Sequence, residues 1–175
     1  MNSLSALSVS IGLIAGLATF LAVGPLSGVF LIWAATISWA AYFALGGDDK
    51  AAVSTAVCSV FGVLVATYAA YEIATIAPDN ALGFPAMAAV IVAVTVIAMC
   101  LSANIPALSA IPASVLGYSA TFGYLLQTPG MLSTDVLLGA TWDNPVLVIS
   151  FSLVLGVALG IASAKLAAKM TTIEG

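Results

Sequence analysis

The sequence contains no histidine and no arginine, and charge of either sign is scarce: three lysines and seven carboxylates among 175 residues. Only 6% of the residues are charged, against roughly 25% in an ordinary soluble domain, so a globule with a water-facing surface is nearly excluded. The first 47 residues carry no side-chain charge. As one helix they would extend roughly 70 Å, more than twice the hydrocarbon thickness of a bilayer, so this stretch must cross a membrane at least twice or cross and fold back.

The missing residue types also limit the chemistry. Without histidine or arginine the chain lacks most of the usual general bases, metal ligands and phosphate clamps, so we expect no catalytic residue, no metal site and no cofactor. A formal net charge of -4 argues against nucleic acid as a partner, because that partner requires a basic surface. Cys58 and Cys100 each lie within an apolar run and are expected to pack as small hydrophobic side chains, with a disulfide as the alternative.

Six apolar segments make up most of the chain, separated by stretches rich in proline, glycine and acidic residues. None of them alternates with the period of two that a membrane barrel requires. The first is interpreted as a span rather than a removable signal, because no lysine or arginine precedes it. We therefore predict an all-α polytopic membrane protein, with residues 1–175 forming one integral membrane domain of six transmembrane helices. The predicted spans are residues 4–23, 29–45, 51–74, 82–102, 109–126 and 145–168.

The lysines predict the orientation of these spans, because cytoplasmic loops are enriched in lysine whereas acidic residues constrain orientation little. With six crossings, Lys50, Lys165 and Lys169 all fall on one face and the acidic loops fall on the other. This predicts a multi-pass protein of the cell inner (plasma) membrane with both termini in the cytoplasm. If the short fifth segment were instead a re-entrant loop, the two lysines near the end of the chain would lie on the face opposite Lys50.

A proline-containing break separates the first two segments in each half of the chain: GPLSG at 24–28 and NIPALSAIP at 104–112. With three crossings per half, the second half is inverted relative to the first, and paired breaks in inverted halves are typical of transporter substrate sites near the membrane midplane. We therefore predict two inverted three-helix repeats, with simple turns between spans as the alternative. The residues expected along a substrate path are Pro25, Ser27, Gly28, Asn104, Pro106 and Pro112.

Small residues mark one face of the first and sixth segments. Gly12 and Gly16 in the first, and Gly156 and Gly160 in the sixth, have the GxxxG spacing that lets membrane helices approach closely. We expect these four glycines to pack helices together, either within the chain or between copies of it in a homo-oligomer.

The fifth segment carries hydroxyl groups beside a glycine. Ser114, Gly117, Thr121 and Tyr124 align on one helix face, which is predicted to line a narrow polar path. A hydroxyl in a membrane helix can equally bond the carbonyl of the preceding turn, and this alternative remains open.

Two longer stretches carry a resemblance to known families: GPLSGVFLIWAATISWAAYFALGG at 24–47 and IPASVLGYSATFGYLLQ at 111–127. With the length and the segment pattern, they resemble the small bacterial inner-membrane family of YcdZ-like and YahC-like proteins, whose function is unknown. GPLSGVFLI also resembles, more faintly, the NPLSGLLI-type run in each half of bacterial urea transporters. In that resemblance Pro25, Leu26, Ser27 and Gly28 match the first motif, while Pro106, Ala107, Leu108 and Pro112 match a later LPALTLPF-type break.

The sequence departs from the urea-transporter pattern where that family binds amides. Ala22, Val23 and Gly24 stand where polar Gln and Asn are expected, and no Phe follows Pro112. The resemblance therefore implies a small uncharged solute without identifying the groups that hold it.

Two functional classes follow. The first is a channel or passive transporter for a small uncharged polar solute, such as urea or a related amide, since the near absence of buried charge disfavours ion coupling. The second is a non-transporting structural or assembly subunit that packs with itself or with partners in the lipid bilayer through its glycines. An enzyme is disfavoured, because no nucleophile and base can be paired from these residues.

Overall fold

A computed structural model describes residues 1–171 of the chain, so Glu174 lies outside the described residues. Within this range the chain forms seven α-helices, and two short 3₁₀ turns follow α4. The helices are α1 (Ser3–Val23), α2 (Ile32–Ala44), α3 (Asp49–Ile76), α4 (Phe84–Leu101), α5 (Ile111–Gln127), α6 (Thr134–Leu138) and α7 (Pro145–Met170). The 3₁₀ turns are Ser102–Asn104 and Pro106–Leu108.

The all-helical prediction is confirmed, and each of the six predicted segments contains one helix of at least 13 residues. The short helix α6 was not predicted; it lies in the polar connection before α7. The prediction of six transmembrane helices is not confirmed. Among residues 1–171, four helices are long and apolar enough to cross a membrane: Ser3–Val23, Asp49–Ile76, Phe84–Asn104 and Pro145–Met170. By contrast, α2 and α5 contain only 13 and 17 residues.

The two longest helices begin at polar residues that cap them. The Asp48 side chain accepts a hydrogen bond from the backbone N–H of Ala51 (2.7 Å), and the Asn144 side chain accepts one from Val146 (2.9 Å). Such caps satisfy backbone donors that the first helical turn leaves unpaired. Both α3 and α7 therefore start at sharply defined positions beside acidic residues.

Helix α2 runs parallel to the middle of α7, from Ser152 to Ser163. At its start the Leu31 N–H donates to Ser152 Oγ (2.9 Å), and near its middle the Trp39 indole N–H donates to Ser163 Oγ (3.1 Å). Residue numbers thus increase together along both helices. The Ser38 hydroxyl also donates to the carbonyl of Leu153, which adds a polar contact inside the interface.

Helix α5 runs parallel to α3 in the same way. Gly117 lies against the backbone of Ser59, and further along Leu125 packs in one buried cluster with Ala70. Helices α3 and α7, in contrast, are antiparallel to each other. Ala51 shares a buried cluster with Val157, whereas Val63 shares one with Ile149, so the numbering rises along one helix as it falls along the other.

The short helices α2 and α5 each form a hairpin with the helix that precedes them. Residues 14–21 of α1 line a groove with Leu155 and Leu159 of α7, and α2 contacts the same stretch of α7. We call residues 3–44 the first hairpin. Similarly, residues 94–102, at the end of α4, line a groove with residues 61–68 of α3, and α5 contacts that half of α3 too. Residues 84–127 form the second hairpin.

The two hairpins make equivalent contacts. The first packs on α7 through α1 and α2, as the second packs on α3 through α4 and α5. The sequences of α2 (Ile32–Ala44) and residues 111–123 align without gaps, and Ile32, Ala34, Ala41 and Phe43 each match an identical residue. The two hairpins thus make equivalent contacts, and their short helices share four identical residues.

Glycines allow the short helices to approach the long ones at backbone contact. A Cβ built on Gly62 would overlap the carbonyl oxygen of Ser114, and one on Gly117 would overlap that of Ser59. In the other half, a Cβ on Gly156 would overlap the carbonyl oxygen of Ala35. A Cβ on Gly160 would lie 2.6 Å from the Tyr42 ring. The expected packing role of Gly156 and Gly160 thus has a definite partner in α2.

The structure gives Gly12 and Gly16 no such partner. A Cβ built at either position would meet nothing within 4 Å, because both glycines lie on the exposed face of α1. Within the described chain they do not pack helices. Their GxxxG spacing matches that of Gly156 and Gly160, so sequence spacing alone could not separate a buried pair from an exposed one.

We predict that Gly62→Ala destabilises the fold by about 3 kcal/mol or more, since the added methyl group meets backbone that cannot rotate away. Gly16→Ala is the matched control, in which alanine favours the helix by up to about 1 kcal/mol and meets no atom. The measurement is the free energy of reversible unfolding in SDS for both variants. Equal stability of Gly62→Ala and wild type would contradict the close contact between α3 and α5.

Candidate functional site

Two irregular segments connect the helices of the hairpins: the first break, residues 24–31, and the second break, residues 102–110. The first contains turns in which Ser27 N–H bonds the Gly24 carbonyl (3.2 Å) and Val29 N–H bonds the Leu26 carbonyl (3.0 Å). Gly28 has a φ of 81°, a backbone conformation that favours glycine. In the second break, the Asn104 side-chain amide donates to the Leu101 carbonyl (2.8 Å). Both breaks therefore satisfy part of their backbone locally.

One side chain of a long helix holds each break in place. Ser152 of α7 accepts the Leu31 N–H at the end of the first break, and its hydroxyl donates to the Val148 carbonyl (2.7 Å). Cys58 of α3 donates from its thiol to the Ala107 carbonyl in the second break (3.6 Å). Because a thiol is a weak donor, the second break is held less firmly than the first.

Ser152→Ala is predicted to lower the free energy of unfolding by about 1–3 kcal/mol, because the Leu31 N–H would lose its partner in an apolar setting. Ser8→Ala is the control: the Ser8 hydroxyl bonds only the Leu4 carbonyl of its own helix (2.8 Å) and is exposed. SDS unfolding of both variants checks this. A loss no larger for Ser152→Ala than for Ser8→Ala would contradict the role of Ser152.

The path residues predicted in the fifth segment separate into two groups. Ser114, Gly117 and Thr121 are buried, and the first two lie at the backbone contact with α3. The Thr121 hydroxyl donates to the Gly117 carbonyl (3.0 Å), which is the local bond that the sequence left open as an alternative. Tyr124 is half-buried and lines a cavity.

The path residues predicted in the breaks are exposed. They are Pro25, Ser27, Gly28, Asn104, Pro106 and Pro112, the last of which lies in the first turn of α5. None of them lines the cavity that Tyr124 lines. The first break nevertheless reaches this cavity through Leu31, its last residue.

The cavity that Tyr124 lines lies between the start of α2 and the end of α5. Its volume is about 390 Å³, and it is lined by Leu31, Trp33, Gly123, Tyr124, Gln127 and Thr128. We call it the α2–α5 vestibule. Its exposed surface is mostly apolar; its lining side chains include two aromatic rings, a carboxamide and two hydroxyl groups, and no charged side chain among residues 1–171 lines it. Such a lining can hydrogen-bond a neutral polar molecule and stack against it, but offers no counter-charge to an ion.

Gly123 contributes to the vestibule by having no side chain. A Cβ built there would have only the tip of the Trp33 ring within 4 Å, at 4.0 Å. A larger side chain at 123 would therefore extend into the space between α5 and Trp33 and reduce the cavity.

A larger cavity, of about 630 Å³, lies between α4 and α5. Its lining is apolar except for Tyr118 and Ser119. The Tyr118 hydroxyl already shares a hydrogen bond with Thr95 (3.0 Å). The α2–α5 vestibule is thus the cavity with the more varied hydrogen-bonding groups, although it is the smaller of the two.

Sequence reasoning missed five of the six vestibule residues: Leu31, Trp33, Gly123, Gln127 and Thr128. Gln127 and Thr128 stand at the junction of an apolar segment and a polar connection, and Trp33 follows the first break closely. These signals were present in the sequence. Only the parallel alignment of α2 with α7 and of α5 with α3 brings the start of one short helix beside the end of the other.

Ionisable chemistry is scarce throughout the part of the chain that the structure describes. Between residues 1 and 171 no group of three His, Cys, Asp or Glu side chains could hold a metal ion. The charged side chains there are at most partly buried, and the buried polar side chains apart from tyrosine and tryptophan are serines and threonines.

Comparison with known proteins defines the family of the chain and no more. Residues 8–168 match the model of a family described as "Protein of unknown function (DUF1097)", so the chain belongs to the DUF1097 family. No curated protein and no solved structure matches it. The family assignment agrees with the expected membership of a family of unknown function.

Proposed function

We propose that the protein is a channel or passive transporter for a small uncharged polar solute, of the urea or related amide class, and that the solute enters through the α2–α5 vestibule. The observation that carries this proposal is the lining of that cavity: neutral hydrogen-bonding groups beside aromatic rings, next to an interrupted helix. The proposal assigns no catalytic role to any residue.

In the proposed membrane arrangement, α3 and α7 cross in opposite directions and each hairpin is re-entrant. Cys58 follows Asp49 by nine residues, and Ser152 follows Pro145 by seven, so the breaks lie about 13 Å and 10 Å from the helix starts. In a hydrocarbon core of about 30 Å these depths approach the midplane. This supports two inverted repeats whose breaks lie near mid-membrane.

The charges support a common orientation. Lys50 lies at the start of α3, and Lys165 and Lys169 lie near the end of the antiparallel α7, so all three belong to one face. By the preference of lysine for the cytoplasm, that face and both termini are cytoplasmic, in a plasma or inner membrane. The vestibule, at the end of α5, then opens on the opposite face.

The solute class follows from the chemistry of the vestibule. The Gln127 carboxamide can both donate to and accept from a planar amide, and the Thr128 hydroxyl can replace water lost from it. The Tyr124 hydroxyl, which donates to the Asp143 carbonyl, can still accept a hydrogen bond from the solute. The Trp33 ring offers an apolar face. Since no charged side chain lines the cavity, we propose passage without coupling to an ion. The faint resemblance of residues 25–28 to urea transporters agrees with this class.

The proposal predicts urea flux into proteoliposomes above that of empty vesicles, and a loss of about tenfold or more in Gly123→Val. The valine side chain would extend into the cavity toward Trp33, and a solute of this size tolerates little narrowing. Gly16→Val is the control, because its side chain would extend from the exposed face of α1. Stopped-flow light scattering with urea, formamide and glycerol measures the flux.

The outcomes of this measurement are distinct. Absence of any flux in folded wild-type protein would overturn the permeation proposal. Equal flux in wild type and Gly123→Val would remove the vestibule from the path while leaving permeation itself standing.

One observation favours the alternative, a non-transporting structural or assembly subunit. The outer face of α1 presents Gly12 and Gly16 beside exposed Leu13, Leu17 and Phe20, a surface that could pack on a second copy of the chain. If this is the function, the protein forms a homo-oligomer that Gly12→Ile dissociates, as measured by sedimentation in detergent, and it transports none of the solutes above.

A further inference from the structure

Three consecutive residues before α7 each bond a different part of the molecule. The Trp142 indole N–H donates to the Val29 carbonyl in the first break (3.0 Å). The Asp143 carbonyl accepts the Tyr124 hydroxyl of α5 (3.2 Å). The Asn144 side-chain amide donates to the carbonyls of Leu137 (3.1 Å) and Gly139 (2.8 Å). We call residues 142–144 the junction.

The junction bonds one residue near the vestibule, Val29, and one that lines it, Tyr124. Val29 lies two residues before Leu31, which lines the cavity on the side of the first break, and Tyr124 lines it on the side of α5. The Trp142 ring also packs edge-on against Phe151 of α7, with ring centroids 5.6 Å apart. The position of the indole is therefore fixed by α7, while its N–H holds the first break.

We infer that the junction is a clamp that holds the first break against α5, and that Trp142 is the positioning residue that controls opening of the vestibule past Leu31. This inference rests on the proposed function for its purpose, but its geometry is independent of transport. When the Trp142–Val29 bond is broken, Ser152 still holds the Leu31 N–H, but the part of the first break around Val29 separates from α5. The Leu31 side chain, which already lines the vestibule, then becomes more accessible to solvent.

The clamp uses bonds that can be exchanged for water. Trp142 is 44% exposed, and both its bond and that of Tyr124 lie at the exposed surface of the chain. A single exposed hydrogen bond between neutral groups contributes modestly to stability, so it can break without unfolding the helices that it joins. While that bond is broken, Asn144 keeps the junction attached to α7, which it caps, and to the Gly139 carbonyl that follows α6.

The test is the rate at which a cysteine at position 31 reacts with a small water-soluble methanethiosulfonate reagent. Full-length protein in detergent carries Leu31→Cys in a Cys58→Ser, Cys100→Ser background, in which serine at 58 retains a donor for the Ala107 carbonyl. Adding Trp142→Phe keeps an aromatic ring against Phe151 and removes only the N–H. We expect labelling to accelerate about fivefold, the factor that corresponds to one ordinary hydrogen bond.

The matched control is Trp39→Phe, which removes an indole N–H that bonds Ser163 away from the vestibule. It should leave the labelling rate unchanged. Tyr42→Phe, which removes the hydroxyl bond to the Gly47 carbonyl, serves the same purpose should Trp39→Phe fail to fold. Tyr124→Phe should accelerate labelling as Trp142→Phe does, since it releases the other side of the clamp.

The result separates this inference from the proposed function. Unchanged labelling in folded Trp142→Phe and Tyr124→Phe would overturn the clamp, whether or not the wild type transports urea. Faster labelling in both, with no urea flux in the wild type, would support the clamp and overturn the permeation proposal. Equal acceleration by the control variants would also overturn the clamp, because the effect would then reflect general loosening.

Discussion

Backbone contact between a long helix and a short helix determines how this molecule is assembled. Gly62 admits the Ser114 carbonyl of α5, and Gly156 admits the Ala35 carbonyl of α2. Without a hydrophobic driving force between helices in lipid, close packing at small residues supplies much of the attraction that holds them. Each contact fixes the position of α2 or α5 along the long helix that it packs on. It therefore also fixes where the break before that short helix lies. The positions of both breaks beside Cys58 and Ser152 follow from these contacts.

The sequence predicted the helices well because the local chemistry of a few residues determines where each helix begins and ends. Prolines, glycines and capping side chains terminate or start each helix whatever the tertiary structure does, so the predicted segments agree with the helix bounds to within about three residues at nearly every end. The number of membrane crossings depends instead on how the helices pack. In the proposed arrangement of two crossings and two re-entrant hairpins, Lys50, Lys165 and Lys169 lie on one face, as they would with six crossings. The lysines therefore do not distinguish the two arrangements.

The candidate site was only partly predictable, for a related reason. Tyr124 was selected from the face of one helix, and it does line the vestibule. Its neighbours on that predicted face, Ser114 and Thr121, are buried against the rest of the molecule. A helical face viewed alone does not reveal whether it meets a cavity or another helix. Trp33 and Gln127, which meet at the vestibule, are far apart in sequence and belong to no shared motif, so only the assembled fold relates them.

The similarity of the two halves makes their differences informative. In the alignment of α2 with α5, Trp33 corresponds to Pro112, and Ser38 to Gly117. The half that carries Trp33 has its break bonded twice over, through Ser152 and Trp142, whereas the thiol of Cys58 provides the weaker bond to the other break. In the proposed inverted repeat, equivalent halves alone would not distinguish the two membrane faces. In the proposed arrangement, the residues that differ between the halves place the aromatic vestibule and the clamped first break on one membrane face. The second break, which the Cys58 thiol bonds to α3, is held less firmly.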